Sequence, residues 1–95
     1  MKVVVFKEGT SWVAQGVDEA VTASGASVEL ALHGLQVTLA DKRVRTEYMP
    51  FAVVSPSPTT YDYMWSIGKP VVCTVAQLAY EGRLVHVPLL DVRVV

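Results

Sequence analysis

The sequence predicts an α+β fold of the β-β-β-α-β type: an antiparallel sheet, one main helix packed across it, and a C-terminal β hairpin or strand extension. Three observations point there. Valine supplies 19 of the 95 residues, and β-branched side chains, stiff at χ1, sit well on a pleated surface. One stretch in the first half carries apolar residues at helical spacing. Short apolar runs broken by turn residues lie on both sides of it.

The first run, Lys2 to Phe6, ends at Lys7-Glu8-Gly9-Thr10, a tetrad with turn chemistry. Ser11 to Gly16 is the return strand of a hairpin. Asp18-Glu19 punctuates, and Ala20 to Ala23 is a third short strand closed by Ser24-Gly25-Ala26. Ser27 is a good N-cap, and Glu29 suits the positive end of a helix dipole. Val28, Ala31, Leu32, Leu35 and Leu39 then form one apolar stripe, with Glu29, His33, Gln36 and Ala40 on the other side. Gly34 costs about 1 kcal/mol against Ala inside a helix, which points to a close approach to the sheet. Asp41-Lys42-Arg43 puts cations at the helix end, so the spacing predicts a helix over 27–41.

Val44 to Tyr48 reads as a brief extension. Pro50, Pro56 and Pro58 break up regular structure, and Ser55-Pro56-Ser57-Pro58 reads as an extended loop. Tyr61, Tyr63, Met64 and Trp65 cluster on one helical turn, ended by Gly68-Lys69-Pro70. Val71 to Tyr80 reads as a strand, Glu81-Gly82 as a two-residue hairpin turn, and Leu84 to Val87 as the return. Pro88 ends that strand, and Leu89 to Val95 is one more. With no repeat and no dividing linker, residues 1–95 are expected to form a single domain.

Composition narrows the function classes. Hydrophobic residues make up 52% and charged residues 18%, which excludes disorder. No apolar run approaches the roughly 20 residues of a membrane span, and the h-region of a secretory signal, about 7–15 residues, is missing. Cys73 stands alone, so a reduced, cytoplasmic setting is the expectation. A net charge of −1 gives no whole-chain pull toward nucleic acid. The apolar excess on so small a surface predicts a homo-oligomer, dimer or tetramer.

The chemistry-bearing residues are sparse. Cys73, His33 and His86 lack ligand spacing, so no metal site and no cofactor is expected. No nucleophile elbow and no phosphate-cradling glycine motif occurs. Cys73, in an apolar run, reads as a small buried hydrophobe. Asp18, Glu19, Asp41, Asp62 and Asp91 sit near turns and termini; a degenerate hydrolase would use Asp18 or Asp91 as metal ligands. Lys42, Arg43 and Arg45, with Tyr48 nearby, are candidate nucleic-acid contacts at the helix C-terminus, or else dipole partners and solubilising charge. Tyr61, Tyr63 and Trp65 are candidate partner-binding residues. Equally, Tyr61 and Trp65, four apart, pin their segment onto the sheet.

Residues 2–40 resemble the HicB-like family of antitoxin-related proteins. The resemblance is carried by the hairpin Lys2 to Gly16 with Trp12-Val13-Ala14-Gln15-Gly16, and by the Ala23-Ser24-Gly25-Ala26-Ser27 entry into a helix containing Glu29, Ala31, Leu32 and Leu35. The segment from Ser55 to Trp65 is similar to a Pro-rich, aromatic stretch of longer relatives. The resemblance implies a partial ribonuclease-H-like sheet with one helix across it. It also implies oligomers, and binding of a small HicA-like toxin that cleaves mRNA. Three departures stand out. The Val17-Asp18-Glu19 loop is short, Leu30 replaces a frequent Glu, and Val71 to Val95 reads as strands where the family carries a DNA-binding segment, so operator binding does not transfer. The expected function is a non-enzymatic, antitoxin-like module that binds and neutralises or regulates a small protein. The alternative is a nucleic-acid-associated regulator.

Overall fold

A computed structural model describes residues 1–48 and 60–95, with the backbone alone for 46–48 and 60. The elements are β1 (Lys2–Glu8), β2 (Ser11–Gly16), β3 (Thr22–Gly25), α1 (Val28–Tyr48), α2 (Thr60–Ile67), β4 (Lys69–Val71), β5 (Gln77–Tyr80), β6 (Arg83–His86) and β7 (Asp91–Val94). Five strands form a sheet in the order β3-β2-β1-β7-β4, and β5 and β6 form a separate hairpin. The fold is the α+β arrangement the sequence predicts, with one main helix on the sheet and a C-terminal hairpin. The sheet is mixed, because β7 returns parallel to β1 while the other pairs are antiparallel.

Register sorts the side chains by face, since cross-strand partners point the same way. Val3 and Val5 lie opposite Gly16 and Ala14 and beside Val92 and Val94. They join Ala31, Leu32, Leu35 and Leu39 of α1 in the main core. The helix begins as its cap chemistry requires: the Leu30 amide donates to Ser27 Oγ at 3.1 Å. Gly34 faces Ala23, whose Cβ would stand 3.3 Å from a Cβ placed on the glycine, so the close approach is real. The opposite sheet face carries Lys2, Val4, Phe6 and Arg93, and there α2 is laid down.

Several boundaries differ from the sequence reading. The helix runs through Lys42 and Arg43 to Tyr48, because Ala40 and Val44 continue its buried stripe and Asp41 pairs with Arg45 one turn on. The brief extension over Val44 to Tyr48 is therefore helix. Gln36 and Ala40, expected on the polar side, are buried. The third strand sits two residues later, at Thr22–Gly25. The run Val71 to Tyr80 is divided: β4 ends at Val71, and β5 begins at Gln77. Cys73 lies between them, half-buried, and accepts a hydrogen bond from Gln36 Nε2 at 3.5 Å. Lys69 and Pro70, expected as helix terminators, already belong to β4. Glu81-Gly82 forms the expected tight turn, with φ of 50° and 76°. Both residues are left-handed, as a type I′ turn requires. The Ser55 to Pro58 loop lies outside the described residues.

Candidate functional site

The two edges of the main sheet are built differently, and hydrogen bonding shows how. The Gly16 amide donates to the Val21 carbonyl at 2.8 Å. Hydrogen-bonded pairs alternate along an antiparallel ladder, so Ala14–Ala23 and Trp12–Gly25 are bonded pairs, and Gln15–Thr22 and Val13–Ser24 are not. The backbone N–H and C=O groups of Thr22 and Ser24 therefore point out from the free edge of β3. No described residue pairs with that edge, and it contains neither proline nor charge. Leu30 packs against Gly25 at its end and remains half-exposed.

The β4 edge is guarded. Asp91 and Val95 donate their amides toward β1, to the Met1 and Val5 carbonyls, so Val92 and Val94 turn theirs toward β4. Lys69 and Val71 are then the bonded partners, and Pro70, opposite Arg93, faces outward. Proline has no N–H to offer there. The Gly68 amide before it is already donated to the Met64 carbonyl at 3.1 Å. Around this closed edge the apolar side chains stay exposed. A groove of about 620 Å³ is lined by Val28, Ile67, Val71, Val94 and Val95 with Glu29 and Lys69. A second, of about 540 Å³, runs from Pro70 to Cys73 and from Leu89 to Asp91. Val71 belongs to both.

The sequence-selected aromatics divide. Tyr61 stacks on Phe6, with ring centroids 6.1 Å apart. The Trp65 ring lies beneath the Arg93 guanidinium at 4.3 Å and near Lys2 Nζ at 5.5 Å. Both residues pin α2 to the sheet. Tyr63 turns away and is 69% exposed.

The basic residues lie toward the C-terminal end of α1, with Arg45 in its last turn. Lys42 and Arg43 are exposed inside the helix, and Arg45 Nε bonds Asp41 Oδ2 at 3.1 Å. Asp41 also accepts a short hydrogen bond from the Tyr80 hydroxyl, which ties the β5–β6 hairpin to α1. The Tyr80 hydroxyl, with Arg45 beside it, holds the Asp41 carboxyl below its ordinary pKa. Its hydrogen bond to Asp41 pushes the Tyr80 hydroxyl up, and the separate Arg45–Asp41 bond pushes the Arg45 guanidinium up. Among the described residues, Asp18, Asp91 and the other His, Cys, Asp and Glu side chains form no group of three suited to a metal ion, and no helix is long and apolar enough to cross a membrane.

Sequence reasoning did not single out Thr22, Ser24 or Pro70. Only the register shows which of their backbone groups face outward, and register is not visible in one strand read alone. No protein-family model, no curated protein and no solved structure matches this chain. The likeness to the HicB-like family rests on the residues quoted for it.

Proposed function

We propose that this chain is a non-enzymatic, antitoxin-like interaction module that binds and blocks a small partner protein by accepting one of its strands at the free edge of β3. One observation carries the reading: outward N–H and C=O groups at Thr22 and Ser24, on an edge without proline or charge, beside a β4 edge that proline closes. Strand addition draws affinity from main-chain hydrogen bonds and specificity from neighbouring pockets. The half-exposed Leu30 at the end of β3 supplies an apolar anchor for the incoming strand. The HicB-like resemblance supports a partner of the HicA-like toxin type, whose RNA-cleaving surface such docking would cover.

The test is co-purification with the protein encoded beside this one, using wild type and Ser24→Pro. Proline at that position removes an outward donor and leaves the bonded pairs Ala14–Ala23 and Trp12–Gly25 in place. The wild type captures the neighbour, and Ser24→Pro loses it while melting close to the wild-type temperature. Undiminished capture by Ser24→Pro, or no capture by the wild type, ends this reading.

A further inference from the structure

We infer that the apolar rim around β4 is a two-fold self-association face, buried in solution against the same rim of a second copy of this chain. The inference is independent of strand addition at β3.

Ile67, Val71, Val72, Leu89 and Val95 are all exposed, Val72 at 88%, and they surround one short strand. Together they present on the order of 500 Å² of accessible surface, the upper end of what a lone monomer leaves bare. With a polar rim this approaches the roughly 800 Å² each partner contributes to a standard stable interface. A folded core this small gains from covering such a patch.

The edge chemistry constrains how the copies meet. Pro70 and the engaged Gly68 amide leave β4 without a donor to extend the sheet. Association therefore proceeds through side chains in the two grooves, which share Val71. Charge points to a second copy as the occupant. Glu29, Lys69 and Asp91 line the grooves, and none of the three has an ion-pair partner among the described residues. An isologous interface requires a surface complementary to itself. An apolar centre flanked by both signs of charge meets that condition, because Lys69 of one copy can meet a carboxylate of the other.

Sedimentation or light scattering of the full chain over a range of concentrations reads the outcome. The wild type has the mass of a dimer. Val72→Asp and Leu89→Asp, at exposed positions outside helices and strands, give monomers with the wild-type circular dichroism spectrum. Lys69→Glu, which turns the lysine that lines the grooves into a further carboxylate beside Glu29 and Asp91, weakens the dimer most at low salt. A monomeric wild type overturns the inference, as does a dimer unaffected by Val72→Asp and Leu89→Asp. A dimer broken by Ser24→Pro but not by Val72→Asp overturns it too, since the copies would then meet through β3. Capture of a neighbour-encoded protein by the monomeric Val72→Asp variant separates the two proposals: it keeps the β3 reading whatever becomes of this one.

Discussion

Arg93 holds Trp65 twice: its guanidinium lies 4.3 Å from the centre of the indole ring, and its Nη1 donates to the Trp65 carbonyl oxygen at 3.0 Å. One side chain on β7 thus fixes both the ring and the backbone of α2, while Lys2 approaches the ring from β1. The stacked Phe6–Tyr61 pair secures the first turn of the same helix. Beneath them Val4 is fully buried, although it belongs to the face opposite the main core.

Arg93→Ala removes a half-buried cation–π contact together with a charge-assisted hydrogen bond, and is expected to cost about 2 kcal/mol. Chemical denaturation measures the loss. Trp65 emission in a Trp12→Phe background reports the loosening of α2, through a red shift that precedes global unfolding. Arg93→Lys rescues only part of it, because an ammonium lacks the planar fork that serves ring and carbonyl together.

The Tyr80–Asp41 bond predicts a stability difference that depends on pH. Asp41 titrates below its ordinary value of 3.8 in the folded chain, so its contribution is present above that value and lost as the pH falls through the folded pKa. Tyr80 titrates above its ordinary value of 10.0, so its contribution is complete below 10.0 and lost as the pH rises through the folded pKa. The melting temperature of Tyr80→Phe therefore lies furthest below wild type at neutral pH. The gap narrows in strongly acidic and strongly alkaline buffer. A gap constant across the three conditions contradicts the assignment.

Most of the framework was legible in the sequence because local signals agreed with one another. Ser27 caps the helix, Leu35 and Leu39 lie on its buried stripe, and Glu81-Gly82 turns the hairpin. Where reading failed, a local cue competed with a longer pattern. Lys42-Arg43 mimics a helix end, yet Val44 falls four residues after Ala40 and extends the stripe past them. Gln36 looks like a surface residue, but its amide is buried and used by Cys73, a partner 37 positions away. The placement of β7 beside β1 depends on contacts between the two ends of the chain, which no local window contains. The edges were hidden for the same reason: the outward groups of β3 and β4 are properties of pairing, not of composition.

Leu35 is fully buried between α1 and the sheet, whereas Leu84 on the hairpin is 69% exposed. Leu35→Ala is expected to cost about 3 kcal/mol through lost burial and the cavity left behind. Leu84→Ala should stay within about 0.5 kcal/mol of wild type. Paired denaturation curves check this. Similar losses at both sites would mean that the outer face of the hairpin is covered.

Pro70 gives the last prediction. Its position opposite Arg93 turns the missing N–H toward the outside of the sheet, where an ordinary residue would offer a donor beside exposed Val71 and Val72. An edge strand flanked by apolar side chains and carrying free donors is a template for further strands, and proline is one of the residues that closes it. Pro70→Val keeps the bonded pairs Lys69–Val94 and Val71–Val92, so the variant is expected to fold. It should nonetheless form species larger than a dimer as its concentration rises, with a gain in thioflavin-type dye binding that wild type lacks. Pro70→Val behaving as wild type at high concentration would mean that the edge is protected by something other than the missing donor, such as the charge of Lys69 on the same strand.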